Sequence, residues 1–131
     1  MTTLNTAITS FYDALVELGV ENDVTTFTMS DFARKISSNG DGADHAWGGN
    51  CLVFGNAVDG QKMYGTYPDL YLGNPLDTGG GRIIPTTSCD EYFAELALWF
   101  GASSSDLDQI FPNINNFWTP TPGGGPLGFM G

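Results

Sequence analysis

The stretch NGDGADHAWGGNC, residues 39–51, contains the one histidine of the chain, His45, directly after Asp44 and among several glycines. A neutral imidazole beside a carboxylate is a ligand pair that suits zinc or a similar divalent ion. The same two residues could instead belong to an acidic turn, in which side chains bond only to the backbone. Asp44 and His45 are therefore candidate metal ligands, with the acidic turn as the alternative.

The same loop also offers oxygen ligands for calcium. Asn39, Asp41 and Asp44 lie in a run interrupted by glycines, and hard cations prefer such oxygen ligands. Their spacing does not follow the calcium-hand pattern D-x-[DN]-x-[DN]-G with its later glutamate. Calcium is therefore a further alternative for this loop.

A helix and a strand are predicted before the loop. Apolar residues recur at alternating steps of four and three, which predicts an amphipathic helix over residues 3–18 that ends at Gly19. These apolar residues are Leu4, Ile8, Phe11, Leu15 and Leu18. The β-branched and aromatic run of residues 24–29 predicts a strand. A helix followed closely by a strand indicates α/β layering, and the loop over 37–50 is long enough to indicate a function.

Further elements are predicted after the loop. Residues 51–54 and 62–65 flank a turn-rich segment, which is consistent with a hairpin. The segment Ser88-Cys89-Asp90-Glu91 forms a capping box, which predicts a helix that runs to about Phe100. A second, short helix is predicted from Ser104 and is closed by Pro112.

Composition limits the domain count and the classes of partner. A chain of 131 residues can form one domain with a core, so we predict a single α/β domain over residues 1–118. The Pro/Gly-rich tail over 119–131 is expected to be extended or poorly ordered, with Leu127, Phe129 and Met130 as residues that could dock on the domain. Fifteen acidic residues against four basic ones give a net charge of −11, which excludes the basic face that nucleic acid requires. No apolar run approaches the roughly 20 residues of a membrane span. Cys51 and Cys89 could form one disulfide or remain thiols.

Three segments of the chain resemble one protein family. The stretch TTFTMSDFARKISSNGDGADHAWGGNCLVFGNAVDG, residues 25–60, resembles the strand, turn, Asp-His step and Gly-rich strand start found near the end of the bacterial domain of unknown function 1501 family. The segments ELALWFGASSSDLDQIFPNINNF, residues 95–117, and LGFM, residues 127–130, are similar to the way those proteins end. The resemblance covers almost the whole chain but only the last part of a typical family member.

The resemblance implies a fold and a site. The family is similar to the alkaline phosphatase and sulfatase superfamily, so the expected fold is α/β: part of a mostly parallel sheet with flanking helices, long Gly-rich loops and divalent metals at the carboxyl ends of strands. An Asp-His step supplies metal ligands in that superfamily, and Asp44-His45 matches this step. Arg34 would hold an anionic phosphate or sulfate ester, with a plain salt bridge as its alternative. Asn50-Cys51 stands where many members have a further histidine.

Two functions follow from these expectations. In the first, the chain is the C-terminal part of a sulfatase- or phosphatase-like protein. It lends Asp44, His45 and Arg34 to a divalent-metal site (zinc, calcium or similar) for ester chemistry, and it is not catalytic alone because other ligands would lie upstream. In the second, it is a non-catalytic assembly or cell-envelope interaction module that oligomerises through exposed strand edges. The expected partners are a second copy or the N-terminal part of the family fold, and the family implies export to the periplasm or cell envelope.

Overall fold

The computed structural model describes residues 2–131. Within this range the chain forms three α-helices, four strands of two residues each and one 3-10 helix. Most of the remaining chain lies in turns, as 18 glycines and 7 prolines require. In chain order the elements are α1 Thr2–Leu18, β1 Thr26–Phe27, β2 Ala33–Arg34, β3 His45–Ala46, β4 Val53–Phe54, α2 Cys89–Phe100, α3 Leu107–Ile110 and the 3-10 helix Ile114–Asn116.

Helix α1 confirms the helix predicted from the apolar stripe. It ends at Gly19, whose left-handed φ of 69° lets the chain turn back on the helix. The N–H groups of Gly19 and Val20 then donate to the carbonyls of Val16 and Leu15, at 3.1 and 3.0 Å. Leu15 is the one residue of α1 that is buried, so most of the apolar stripe remains exposed.

The expected mostly parallel, alkaline-phosphatase-like sheet is wrong. β1 pairs antiparallel with β4, and β2 pairs antiparallel with β3, so residues 2–131 contain two separate two-stranded sheets and no parallel pair. The connections explain the difference. Parallel neighbours need a crossover of about a dozen residues or more, usually a helix, whereas the chain between β1 and β4 folds into the β2–β3 hairpin. The chain therefore returns beside β1 in the opposite direction.

The hairpin predicted between residues 51–54 and 62–65 is wrong as well. β4 pairs with β1, which precedes it by a long loop, and not with the segment that follows it. The turn-rich segment after β4 approaches the C-terminal tail instead, where Val58 forms an antiparallel bridge with Met130. The turn residues correctly predicted that the chain bends after β4. They did not predict which strand pairs with β4.

Helix α2 confirms the predicted capping box. Ser88 Oγ accepts a hydrogen bond from the Glu91 N–H at 3.1 Å, and the Glu91 carboxylate accepts one from the Ser88 N–H at 2.8 Å. Gly101 ends the helix with a left-handed φ of 108°. The short helices that follow pack against α2 and form the small core of the protein, which consists of Ala94, Leu107 and Ile114.

The tail docks on α2 through a buried carboxylate. Glu95 is 3% exposed, and its two carboxylate oxygens accept the N–H groups of Leu127 at 3.0 Å and Met130 at 3.2 Å. Phe129, between these two residues, is also 3% exposed. A buried carboxylate needs such donors because desolvation without them is costly. The tail is therefore an integral part of the packing around α2.

An aromatic cluster connects the tail to β1. The Phe129 ring lies 5.9 Å from the ring centroids of Tyr64 and Tyr92. The rings of Tyr92 and Phe93 meet Phe27 of β1 edge-on, with centroids 6.2 and 6.1 Å apart. Such pairs contribute about 0.5–1.5 kcal/mol each beyond their burial. These rings join four distant parts of the chain.

We predict that Glu95→Ala releases the tail. The substitution leaves two N–H groups without their acceptor, and it should lower the free energy of unfolding by roughly 2 kcal/mol or more. Chemical denaturation measures this loss, and amide hydrogen exchange should rise over residues 125–131. Asp108→Ala, which removes an exposed carboxylate from α3, is the matched control and should change both readings little. Unchanged exchange in the tail of Glu95→Ala would contradict the prediction.

Candidate functional site

The predicted site residues lie on the β2–β3 hairpin. Arg34 of β2 pairs in register with His45 of β3, and the Lys35 N–H donates to the Asp44 carbonyl at 2.9 Å. The His45 ring stacks on Phe32 with centroids 3.7 Å apart. The Arg34 guanidinium lies 4.9 Å from the centroid of the same ring, which is a cation–π contact. Stacking therefore positions both Arg34 and His45.

Both carboxylate oxygens of Asp44 are engaged. Oδ2 forms an ion pair with Lys35 Nζ at 2.8 Å, and Oδ1 accepts a hydrogen bond from Asn39 Nδ2 at 2.8 Å. The hydrogen bond from Lys35 and then that from Asn39 lower the pKa of Asp44, and the charge of Arg82 adds a smaller attraction. Asp44 is therefore an ionised carboxylate that already has a cationic partner.

Three of the four basic residues of the chain gather at this hairpin. Arg34 and Lys35 belong to it, and Arg82 approaches it from a later segment. A Cβ added at Gly80 would lie 3.8 Å from Lys35 Nζ and 3.9 Å from a guanidinium nitrogen of Arg82, so both cations border this glycine. We call the following residues the hairpin cluster: Phe32, Arg34, Lys35, Asp44, His45 and Arg82.

Asp77 fixes the Gly-rich segment that carries Arg82. Its Oδ1 accepts the N–H groups of Gly79 at 2.8 Å and Gly81 at 2.9 Å, and its Oδ2 accepts that of Gly73 at 2.8 Å. The N–H of Gly73, and then those of Gly79 and Gly81, favour the ionised form and lower the pKa of Asp77. Gly79 and Gly81 have φ angles of 117° and 81°, which residues with side chains rarely adopt. The carboxylate thus organises a loop that few other sequences could form.

The side chains around His45 do not fit a divalent ion in this arrangement. A catalytic zinc site uses about three protein ligands, and residues 2–131 contain no group of three or more His, Cys, Asp or Glu side chains that could hold a metal. Asp44 would have to leave Lys35 and Asn39, and the adjacent cations repel a metal ion. Metal binding by Asp44 and His45 therefore stays a prediction.

Phe32, Lys35 and Arg82 are the members of the cluster that the sequence interpretation did not assign to the site. Lys35 could have been found, because a basic residue next to Arg34 stands out in a chain with four of them. The nine-residue separation between Lys35 and Asp44 is also compatible with a hairpin. Arg82 reaches the cluster only through the path of the loop around Asp77, and no local signal in the sequence predicts that path.

The two cysteines are free thiols, and both are exposed. Partial burial raises the pKa of Cys51, and the neighbouring Cys89 raises it further. Burial also raises the pKa of Tyr92, to about 12. A reactive cysteine has a lowered pKa, so the raised pKa of Cys51 favours its neutral thiol, and the raised pKa of Tyr92 favours its neutral phenol.

A second candidate surface lies on α1. Four of its apolar side chains are between 39% and 48% exposed, and beside them an open groove of about 70 Å³ separates the helix from the β1–β4 sheet. Tyr12 crosses the edge of the groove and donates to Asn56 Oδ1 at 2.8 Å. Among residues 2–131 no helix has the length and apolar character needed to cross a membrane. We use the name α1 face for the groove together with the side chains of Leu4, Phe11, Tyr12 and Val16.

Comparison with known proteins identifies a family but no activity. The sequence model of a family described as Protein of unknown function (DUF1501) matches residues 1–75. This range contains α1, both sheets and the hairpin cluster except Arg82. No curated protein matches the chain, and no solved structure matches it. The match concerns the family alone and does not extend to alkaline phosphatases or sulfatases.

We predict that Asp77 makes stability depend on pH. The lowered pKa means that its contribution is fully present above the ordinary pKa of an aspartate, about 3.9, and is lost as the pH falls through the lower folded value. Asp77→Ala should therefore unfold at a lower temperature than the wild type at pH 7, and the difference should narrow in acid. Asp69→Ala, an exposed acid nearby, is the control and should behave like the wild type. A difference that stays constant from pH 7 to pH 2.5 would contradict the assignment.

Proposed function

The chain belongs to the family described as Protein of unknown function (DUF1501), and for this member we propose a non-catalytic interaction module that packs onto another polypeptide through the α1 face. The observation that carries the proposal is the exposure of the apolar stripe of α1, of which Leu15 alone is buried. Exposed contiguous apolar surface on a folded protein marks interaction sites. The proposal needs no catalytic residue, in keeping with the fully paired Asp44.

The total surface area supports this proposal. The chain of 14.0 kDa has a solvent-accessible surface of 8658 Å². A folded monomer of this mass exposes about 6,700 Å², so the excess is about 2,000 Å². A standard protein–protein interface covers about 800 Å² on each partner. The excess is therefore enough for a large interface.

The stability of α1 supports the same proposal. Isolated helices of about 12–15 residues are marginal in water, and helices in proteins are stabilised mainly by packing an apolar face. The 17 residues of α1 bury one side chain, while Phe11 and Val16 are each 48% exposed. Packing on a partner would supply the missing burial. We therefore place the contact on the helix rather than on the two-residue strands, whose edges offer few hydrogen bonds.

A second candidate function is the binding of a phosphate or sulfate group at the hairpin cluster. It is favoured by Lys35 and Arg82, which both border Gly80, and by Arg34, which is next to Lys35 in the sequence of an otherwise acidic chain. Asp44 neutralises Lys35, whereas each arginine donates to a backbone carbonyl, at 2.9 Å for Arg34 and 3.0 Å for Arg82. A guanidinium has five N–H donors, so both arginines retain donors for a ligand. This second proposal retains the predicted binding of a phosphate or sulfate group and includes no catalytic step.

For the α1 face, we predict that Phe11→Ser changes the isolated chain little but weakens its binding of apolar probes. The side chain is 48% exposed and lines the groove, so the free energy of unfolding should fall by only about 1 kcal/mol. Fluorescence of the apolar dye anilinonaphthalene sulfonate should be high with the wild type and clearly lower with the variant. Phe100→Ser removes an exposed phenylalanine outside the α1 face and is the matched control. Equal dye binding by Phe11→Ser and the wild type would contradict the proposal.

For the hairpin cluster, we predict that Arg82→Ala weakens the binding of sulfate. Sulfate stabilises many proteins without binding at a site, so the comparison is with Lys62→Ala, which removes the one basic residue outside the cluster. Chemical shifts of Arg34 and Lys35 should respond to sulfate in the wild type and in Lys62→Ala, and much less in Arg82→Ala. Equal responses in all three proteins would exclude the site. The same titration with zinc, in the wild type and in His45→Ala, tests metal binding.

A further inference from the structure

The chemistry of the partner follows from the charges around the α1 face, and this step rests on the proposed function. We infer that the α1 face binds a cationic amphipathic segment of another polypeptide. The apolar side of that segment covers the groove beside α1 and Phe11, which lines it. Its lysine or arginine residues lie at the C-terminal end of α1. Burial provides the affinity, and charge selects the partner.

The first argument is the one-sided charge of this part of the chain. Residues 1–33 contain five acidic residues and no lysine, arginine or histidine. Two of the four basic residues, Lys35 and Lys62, form ion pairs with Asp44 and Asp59. The α1 face therefore lies in a region that attracts cations, and complementary charge speeds association and excludes wrong partners.

The second argument is the C-terminal end of α1. The backbone carbonyls there carry a partial negative charge, and α1 has no basic residue in its last turn to offset it. Glu17 lies in this turn and Glu21 follows it, so like charges add where a cation would be favourable. The Oε2 atom of Glu21 is shielded from solvent and has no hydrogen-bond partner within residues 2–131. Rotation of the Glu21 side chain would bring its carboxylate to a lysine or arginine of a partner, and the same cation would offset the partial negative charge of the helix end.

The third argument excludes a second copy of the chain as the preferred occupant. Each copy carries a net charge of −11. Two α1 faces brought together would place their acidic helix ends near each other, and like charges in contact are costly. The charge of the chain therefore favours an occupant of the opposite charge over a second copy.

Peptides that differ only in charge test the inference. Three amphipathic peptides of 17 residues, the length of α1, share a leucine face and carry lysine, glutamine or glutamate on the polar face. Fluorescence anisotropy with the full chain should give the lysine peptide an affinity about tenfold or more above that of the glutamine peptide, which corresponds to about 1.4 kcal/mol. The glutamate peptide should bind least. The advantage of lysine should disappear near 1 M salt, where the Debye length is about 3 Å.

Variants of the chain show which residues provide the preference for lysine and which provide the apolar contact. Glu17→Gln combined with Glu21→Gln should remove most of the preference for lysine and leave the binding of the glutamine peptide unchanged. Asp106→Asn combined with Asp108→Asn removes two acids near α3 and is the matched control, which should keep the preference. Phe11→Ser should weaken the binding of all three peptides, because it removes the apolar contact that they share. Circular dichroism confirms that each variant is folded.

The outcomes separate the inference from the proposed function. Equal binding of the lysine and glutamate peptides, together with weaker binding of both by Phe11→Ser, would overturn the cationic partner and support the interaction module. Binding of no peptide, together with dye binding that does not depend on Phe11, would overturn both. A stable dimer by light scattering at 0.15 M salt that Phe11→Ser dissociates would replace the cationic partner with a second copy.

Discussion

The structure depends on one buried carboxylate, that of Glu95. It lies on α2, the helix with the strongest local signals in the sequence, and it accepts two N–H groups from the tail. The tail in turn carries Phe129 into the aromatic cluster that reaches Phe27 of β1. Tyr92 and Phe93 join α2 to β1 directly, and the docked tail adds Phe129 to the same cluster. Removing the carboxylate would therefore affect distant parts of the fold.

Much of the remaining structure is organised by polar side chains rather than by a large core. Asp77 collects three N–H groups, and Asp44 joins the two strands of the hairpin through Lys35. Such contacts define loop conformations, but they bury little apolar surface and contribute modest net stability. The apolar side chains that would form a larger core remain on the surface, most clearly on α1. Carboxylates therefore define much of the loop structure, while apolar side chains that a larger core would bury remain exposed.

The helices were predictable and the sheets were not, for a physical reason. The signals for α1 and α2 are local: the apolar stripe that ends at Gly19, and the capping box from Ser88 to Glu91. Strand pairing is non-local, and two-residue strands such as Val53–Phe54 have no periodicity that identifies a partner. The resemblance identified the family, whereas the parallel sheet expected from a likeness to alkaline phosphatases and sulfatases is absent from residues 2–131. At the hairpin cluster the sequence singled out Arg34, Asp44 and His45, but the neighbours that define their charge environment depend on the fold.

The contact between Glu95 and the tail also constrains the order of folding. The acceptor is synthesised 32 residues before Leu127 and 35 before Met130. Until those residues arrive, the carboxylate must stay hydrated, because an ionised group without donors cannot enter an apolar environment. Helix α2 and its contacts with Phe27 can form from earlier parts of the chain, whereas Phe129 joins the aromatic cluster only when the tail docks. Docking of the tail is therefore a late step, in which the Glu95 carboxylate exchanges water for two backbone N–H groups.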